Sequence, residues 1–188
     1  MATSEDGRFR QEHWERWLET TCDYLFAEQD RSLTAAPTAT RGARERFLYR
    51  ARGKLMLLLK NPPAGELDAL DELERTFTLQ AGFVARHPDV PRRLLGWLLE
   101  GSDSRISRRI QAVVGQQQAR MCRILEQARR QGLVREEIEP RTAATLLVGM
   151  IQGLALRMTG DRRQREALLL AALEVFALFR TRVSAAAT

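Results

Sequence analysis

The chain has 188 residues, with 30 Lys plus Arg against 24 Asp plus Glu, a net charge of +6, and 44% hydrophobic residues. That length fits one domain or one and a half and can bury a core. The composition is that of a soluble globular protein, which excludes a fibrous or low-complexity chain. Leu, Ala, Arg and Glu dominate, while aromatics make up 6% and Val and Ile are sparse. Helix is therefore expected over strand.

The charge is local. Residues 41–60 hold Arg41, Arg44, Arg46, Arg50, Arg52, Lys54 and Lys60 against Glu45 alone. That is 7 − 1 = +6, the net charge of the whole chain. An anionic partner is expected at this stretch. No apolar run approaches the ~20 residues of a membrane span, so no membrane partner is expected. The N-terminal MATSEDGRFRQEHWER is too charged for a signal peptide. Cys22 and Cys122 have no metal-ligand spacing and read as reduced core residues of a cytosolic, hence cytoplasmic, protein.

In chain order, residues 11–29 form an amphipathic pattern, with Trp14, Trp17, Leu18, Cys22, Leu25 and Phe26 at helical spacing. Residues 30–41 carry no stripe, and Pro37 would break a helix interior. Helix resumes from Arg44 to Leu59, weakened or split by Gly53 and stopped by Asn61-Pro62-Pro63-Ala64-Gly65. Residues 66–86 place Leu67, Leu70, Leu73, Phe77 and Val84 on one side. Asp89 is a plausible N-cap for a short helix, 90–100. A long helix follows from Arg105 to about Gln131 with the stripe Ile106, Ile110, Val113, Val114, Met121, Ile124, Leu125 and Ala128, ended by Gly132. A short extended link leads to a helix from Pro140 or Arg141 to about Thr159. The last helix, about 162–182, is apolar almost all round, which predicts cover on two sides and so a subunit interface. The final SAAAT reads as disordered.

Several segments resemble the tetracycline-repressor (TetR/AcrR) family of bacterial regulators. Arg86-His87-Pro88-Asp89-Val90-Pro91-Arg92-Arg93-Leu94-Leu95 is similar to its "hP-x-x-x-r-l-l" junction. Gln131-Gly132-Leu133-Val134 and Ile138-Glu139-Pro140-Arg141-Thr142-Ala143-Ala144 are similar to its "G-x-[ILVF]-r-x-D-[ILV]-d-p-x-x-a-A" turn. Gly149 to Arg157 resembles the "G-x-x-x-G-l" helix that follows. Nearer the N-terminus, Leu25-Phe26-Ala27-Glu28 resembles "L-F-a-e-x-G". Gly42, Leu48-Tyr49 and Gly53-Lys54 resemble landmarks of "A-G-V-s-x-g-t-L-Y-x-h-F-x-s-K". Between them the pattern departs: Leu33 to Arg41, with Pro37, stands where the family has its second helix.

The resemblance implies an all-α, TetR-like homodimer. Residues 1–60 would be a helix-turn-helix-like region, degenerate at 33–41, and residues 61–184 a ligand-binding and dimerisation domain. It implies transcriptional regulation, as a repressor, with double-stranded DNA met by Arg41, Gly42, Arg44, Arg46, Tyr49, Arg50 and Lys54. The competing reading is a solvated arginine face on a sensing or interaction dimer that has lost DNA binding. A small apolar or amphipathic effector would lie among Phe77, Phe83, Trp97, Val113, Gln117, Met121, Met150 and Gln152, although residues at such spacing are more often ordinary core. Dimerisation is expected through Leu147, Ile151, Leu154, Met158, Leu169, Leu173, Phe176 and Phe179. His13 and His87 stand alone, and there is no phosphate loop, nucleophile motif or metal spacing, so no enzyme and no cofactor is implied.

Overall fold

The computed structural model describes residues 41–58, 67–100, 104–158 and 162–185. The expected helix at 11–29, the stripe-free 30–40 and the turns at 61–65, 101–103 and 159–161 lie outside the described residues. Among the described residues the chain forms six helices and no strand. We number them α1 (Arg41–Leu58), α2 (Ala69–Arg86), α3 (Asp89–Glu100), α4 (Ser104–Arg130), α5 (Pro140–Arg157) and α6 (Arg162–Val183). All six belong to one compact unit, Thr38–Thr188.

Helix α2 is the hub. It packs on α1, α4, α5 and α6. Its sequence explains this, because Leu70, Leu73, Phe77, Ala81 and Val84 are joined in burial by Thr76, Leu79 and Gln80 on adjoining sides. A helix buried nearly all round is a core helix. Asp68 caps it by accepting from the Asp71 N–H at 2.8 Å, and Asp71 and Glu72 meet the positive end of its dipole. Phe77 stacks on Phe176 of α6 with ring centroids 4.7 Å apart.

The expected stripe of α4 is the observed one, except that Val114 at its edge is half-buried. Ile106, Ile110, Val113, Met121, Ile124, Leu125 and Ala128 are all buried. Its 27 residues span about 40 Å at the standard rise. The helix ends as the sequence predicts. Gly132 takes φ +70°, Gly132 N–H donates to Arg129 O at 3.0 Å, and Leu133 N–H donates to Ala128 O at 2.9 Å. That left-handed residue with paired closing bonds is a Schellman stop, and it favours glycine.

Glu139 then caps α5 by accepting from the Arg141 N–H at 3.0 Å and from the Thr142 N–H, with Pro140 at the first helical position. Those hydrogen bonds, Arg141 first, hold the Glu139 carboxyl below the usual glutamate range. Helices α4 and α5 pack against each other, and α6 closes the bundle on α2 and α5.

Two expectations change. Gly53 does not split α1, which runs unbroken from Arg41 to Leu58. Gly53 is exposed, and the packing of Phe47, Leu48 and Ala51 just before it outweighs its low propensity. The start of SAAAT is also ordered. Val134 and Ser184 form an antiparallel bridge. Arg135 N–H donates to Val183 O at 3.0 Å, and Ala185 N–H donates to Leu133 O at 2.9 Å. The chain end thus satisfies backbone groups in the α4–α5 link that have no helix to serve them. Residues 186–188 lie outside the described residues.

Candidate functional site

On α1, Phe47, Leu48 and Ala51 are buried while Arg46, Tyr49 and Arg52 are exposed. The spacing of the apolar three, i, i+1 and i+4, defines one inward edge on a helix that is otherwise basic. That edge packs on α2 and α4. Phe47 meets Trp97 of α3 edge to face, with centroids 5.5 Å apart. The Arg93 guanidinium lies 5.7 Å from the Phe47 ring centre.

The expected DNA-contacting residues divide. Arg46 and Tyr49 face solvent, Tyr49 at 79% exposure. Gly42 is exposed in the first turn. Arg44 is committed within the fold: it pairs with Glu100 at 3.3 Å and lies 5.3 Å over Trp97. The side chains of Arg41, Arg50 and Lys54 lie outside the described residues. Sequence reasoning counted Arg52 in the basic stretch without naming it as a contact, and it missed Arg105 and Arg109. The Arg109 guanidinium approaches Glu45 at 3.7 Å and that of Arg105 at 4.0 Å. Their signal was the Arg105, Arg108, Arg109 spacing in the first turns of α4, which places them on neighbouring positions of one helix surface.

A cleft of about 310 Å³ opens between α1 and α4, lined by Leu48, Tyr49, Arg52, Arg109, Val113 and Gln116, with Glu45 and Ala112. A second hollow of about 380 Å³ adjoins it at Gly42, Glu45, Arg46, Tyr49 and Arg109.

The expected effector residues lie deeper. Phe77 and Met121 are fully buried in the central cluster, and Phe83, Trp97 and Val113 are buried as well. Gln117, Met150 and Gln152 are half-buried. Of these eight, Val113 lines the cleft. One polar group absent from the sequence reading sits at this depth. Gln80 is 2% exposed, and its Nε2 has no hydrogen-bond partner among the described residues. The signal was an amide within the apolar run of α2, and an unpaired buried amide costs about 1–3 kcal/mol.

The expected dimer residues also divide. Leu147, Ile151, Leu154, Met158 and Phe176 are buried within the protomer, and Leu169, Leu173 and Phe179 pack half-buried against the same cluster. The exposed apolar side chains of the two helices are their neighbours: Leu146 and Leu156 on α5, and Leu170, Val175 and Leu178 on α6. Leu146, Gly149, Gly153 and Leu156 recur at i, i+3, i+7 and i+10, which is one helical face. Arg180 fastens α6 to α2 through Asp71 at 2.7 Å and through Glu74. Burial works against its charge, but the hydrogen bonds to Asp71 and Glu74 outweigh that and raise its pKa. Cys122 is half-buried. Burial and its contact with Glu126 push the thiol up, away from the reactive thiolate.

Among the described residues no cluster of three or more His, Cys, Asp or Glu side chains could hold a metal ion, and no helix is long and apolar enough to cross a membrane. No protein-family model matches the sequence, and no curated protein matches it. In solved structures the chain is similar to a TetR transcriptional regulator from Chloroflexus aurantiacus J-10-fl. The match has 15% identity and a TM-score of 0.54, over 72% of this chain and 69% of that one. At that identity the likeness shows the fold: this chain has a TetR-like, all-α helical bundle.

Proposed function

We propose that the chain is a TetR-like transcriptional repressor that binds double-stranded DNA as a homodimer and responds to a small, mostly apolar or amphipathic effector. Residues 1–60 would read DNA, and residues 61–184 would hold the effector and the dimer contact. The observation that carries DNA binding is the charge of residues 41–60, which equals the +6 of the whole chain, together with α1 over 41–58, whose Arg46, Tyr49 and Arg52 face water. Such a surface neutralises phosphates and gains affinity by releasing their counterions. Dimerisation is supported by the five exposed apolar side chains on α5 and α6, which two copies would cover as a four-helix bundle. The effector reading is supported by the unpaired amide of Gln80, which would bond to a polar group of a ligand held among Phe77, Phe83, Val113 and Met121. Effector binding would then shift the population between two dimer states that differ in DNA affinity.

A gel-shift titration with duplex DNA from around the chain's own gene tests this. The expected result is a salt-sensitive shift that Arg46→Ala with Tyr49→Ala weakens more than Arg163→Ala with Arg182→Ala on α6. No shift at low salt would overturn it. A second reading, a sensing or interaction dimer without DNA binding, is favoured by Arg44, whose charge is already spent on Glu100 and Trp97. That reading predicts no shift from a chain that still dimerises and binds effector.

A further inference from the structure

We propose that the cleft between α1 and α4 binds a small organic anion with an apolar, planar body, of the aromatic carboxylate class. Three features of the cleft converge on that chemistry. The first is its floor. Leu48 and Val113, 4% and 8% exposed, present apolar surface at the base. The second is Tyr49, a large ring left 79% exposed at the rim. An exposed aromatic beside an apolar floor offers a stacking surface for a planar group.

The third feature is charge. Arg46, Arg52 and Arg109 line the cleft and the adjoining hollow together with Glu45, which is 3 − 1 = +2. Glu45 lies 3.7 Å from the Arg109 guanidinium and 4.0 Å from that of Arg105. Among the described residues Arg46 and Arg52 have no ion-pair partner. Guanidinium forks match carboxylate geometry and make charge-assisted hydrogen bonds stronger than neutral ones. Gln116 adds an uncharged donor and acceptor at the wall.

Each simpler ligand leaves part of this unused. An inorganic anion would meet the arginines and leave the Leu48–Val113 floor and Tyr49 idle. A neutral hydrocarbon would cover the floor and leave the positive charge uncompensated. A carboxylate on a fused or single ring uses all three, and about 310 Å³ is room for one. The site shares Val113 with the effector region around Gln80 but differs from it in charge and in opening to the surface, and it does not depend on DNA binding.

The test is calorimetric titration of the full-length chain with 2-naphthoate and with its neutral partner 2-naphthamide at low salt. The expected result is saturable one-to-one binding of naphthoate with Kd below about 1 mM, and at least about tenfold weaker binding of the amide. Arg52→Gln with Arg109→Gln should remove that tenfold preference while leaving the amide unchanged. Tyr49→Ala should weaken both probes. All three residues are exposed, and thermal melts will show that the variants remain folded. Equal affinity for the two probes, or no binding of naphthoate, overturns the proposal. So does binding that survives Arg52→Gln with Arg109→Gln and is lost in Gln80→Leu, which would place the probe in the core.

Discussion

The exposed surface of α5 and α6 carries Leu146, Leu156, Leu170, Val175 and Leu178, interleaved with Gly149, Ala171 and Ala177. The exposed surface of α1 and the start of α4 carries Tyr49 with Arg46, Arg52, Arg105, Arg108 and Arg109. Both lie outside the same packed core, yet they call for opposite partners. The first loses free energy by meeting water and gains by meeting a surface like itself. The second is well hydrated and gains only where negative charge is supplied. Under the proposed function, the fold would keep assembly and anion recognition on separate helices, so that each face can be altered without unfolding the other.

The largest expected effect breaks both faces together. Phe77 stacks on Phe176 and so joins the hub to α6. Phe77→Ala should cost about 3–5 kcal/mol of unfolding free energy, read by denaturant titration. Next comes a variant aimed at the apolar face alone. Leu156→Glu with Leu178→Glu should shift the protein to monomer, read by light scattering, while anion binding at α1 persists. Exposed positions are chosen because Leu147 or Phe176 would damage the core instead.

A smaller effect is expected at the α6–α2 tie. Arg180→Met should cost about 1 kcal/mol, because Asp71 and Glu74 remain partly solvated and water compensates much of the loss. The smallest concerns Glu139, whose folded pKa is lowered by its capping bonds. Its contribution is present above the ordinary glutamate range and is lost as pH falls through the lowered value. Glu139→Ala should therefore lower the melting temperature slightly at neutral pH. The gap between variant and parent should close in acid.

The helices and the core were legible because their signals are local. The α4 stripe from Ile106 to Ala128, the Gly132 stop and the Glu139-Pro140 start each follow from side chains a turn or two apart. What was not legible depends on neighbours distant in sequence. Periodicity marked Leu147, Ile151 and Phe176 as apolar, but it does not tell which apolar residues the protomer keeps and which it leaves exposed. That division is set by how α5 and α6 meet α2. The commitment of Arg44 required Glu100, 56 positions away. The cleft required Arg52 and Arg109, on two different helices, to line one cavity. Gln80 is buried by the packing around its helix, which its place in the sequence does not reveal.

The most direct measurement follows the fluorescence anisotropy of a labelled duplex from around the gene as salt is raised. It compares the parent, Arg46→Gln with Arg52→Gln, and Leu156→Glu with Leu178→Glu. The slope of log affinity against log salt counts neutralised phosphates at about 0.9 each on duplex DNA. The account predicts a steep slope for the parent, a shallower slope for the arginine variant with its mass unchanged, and about half the parent slope for the leucine variant as a monomer. An absence of binding at low salt, or one slope shared by all three proteins, would contradict it.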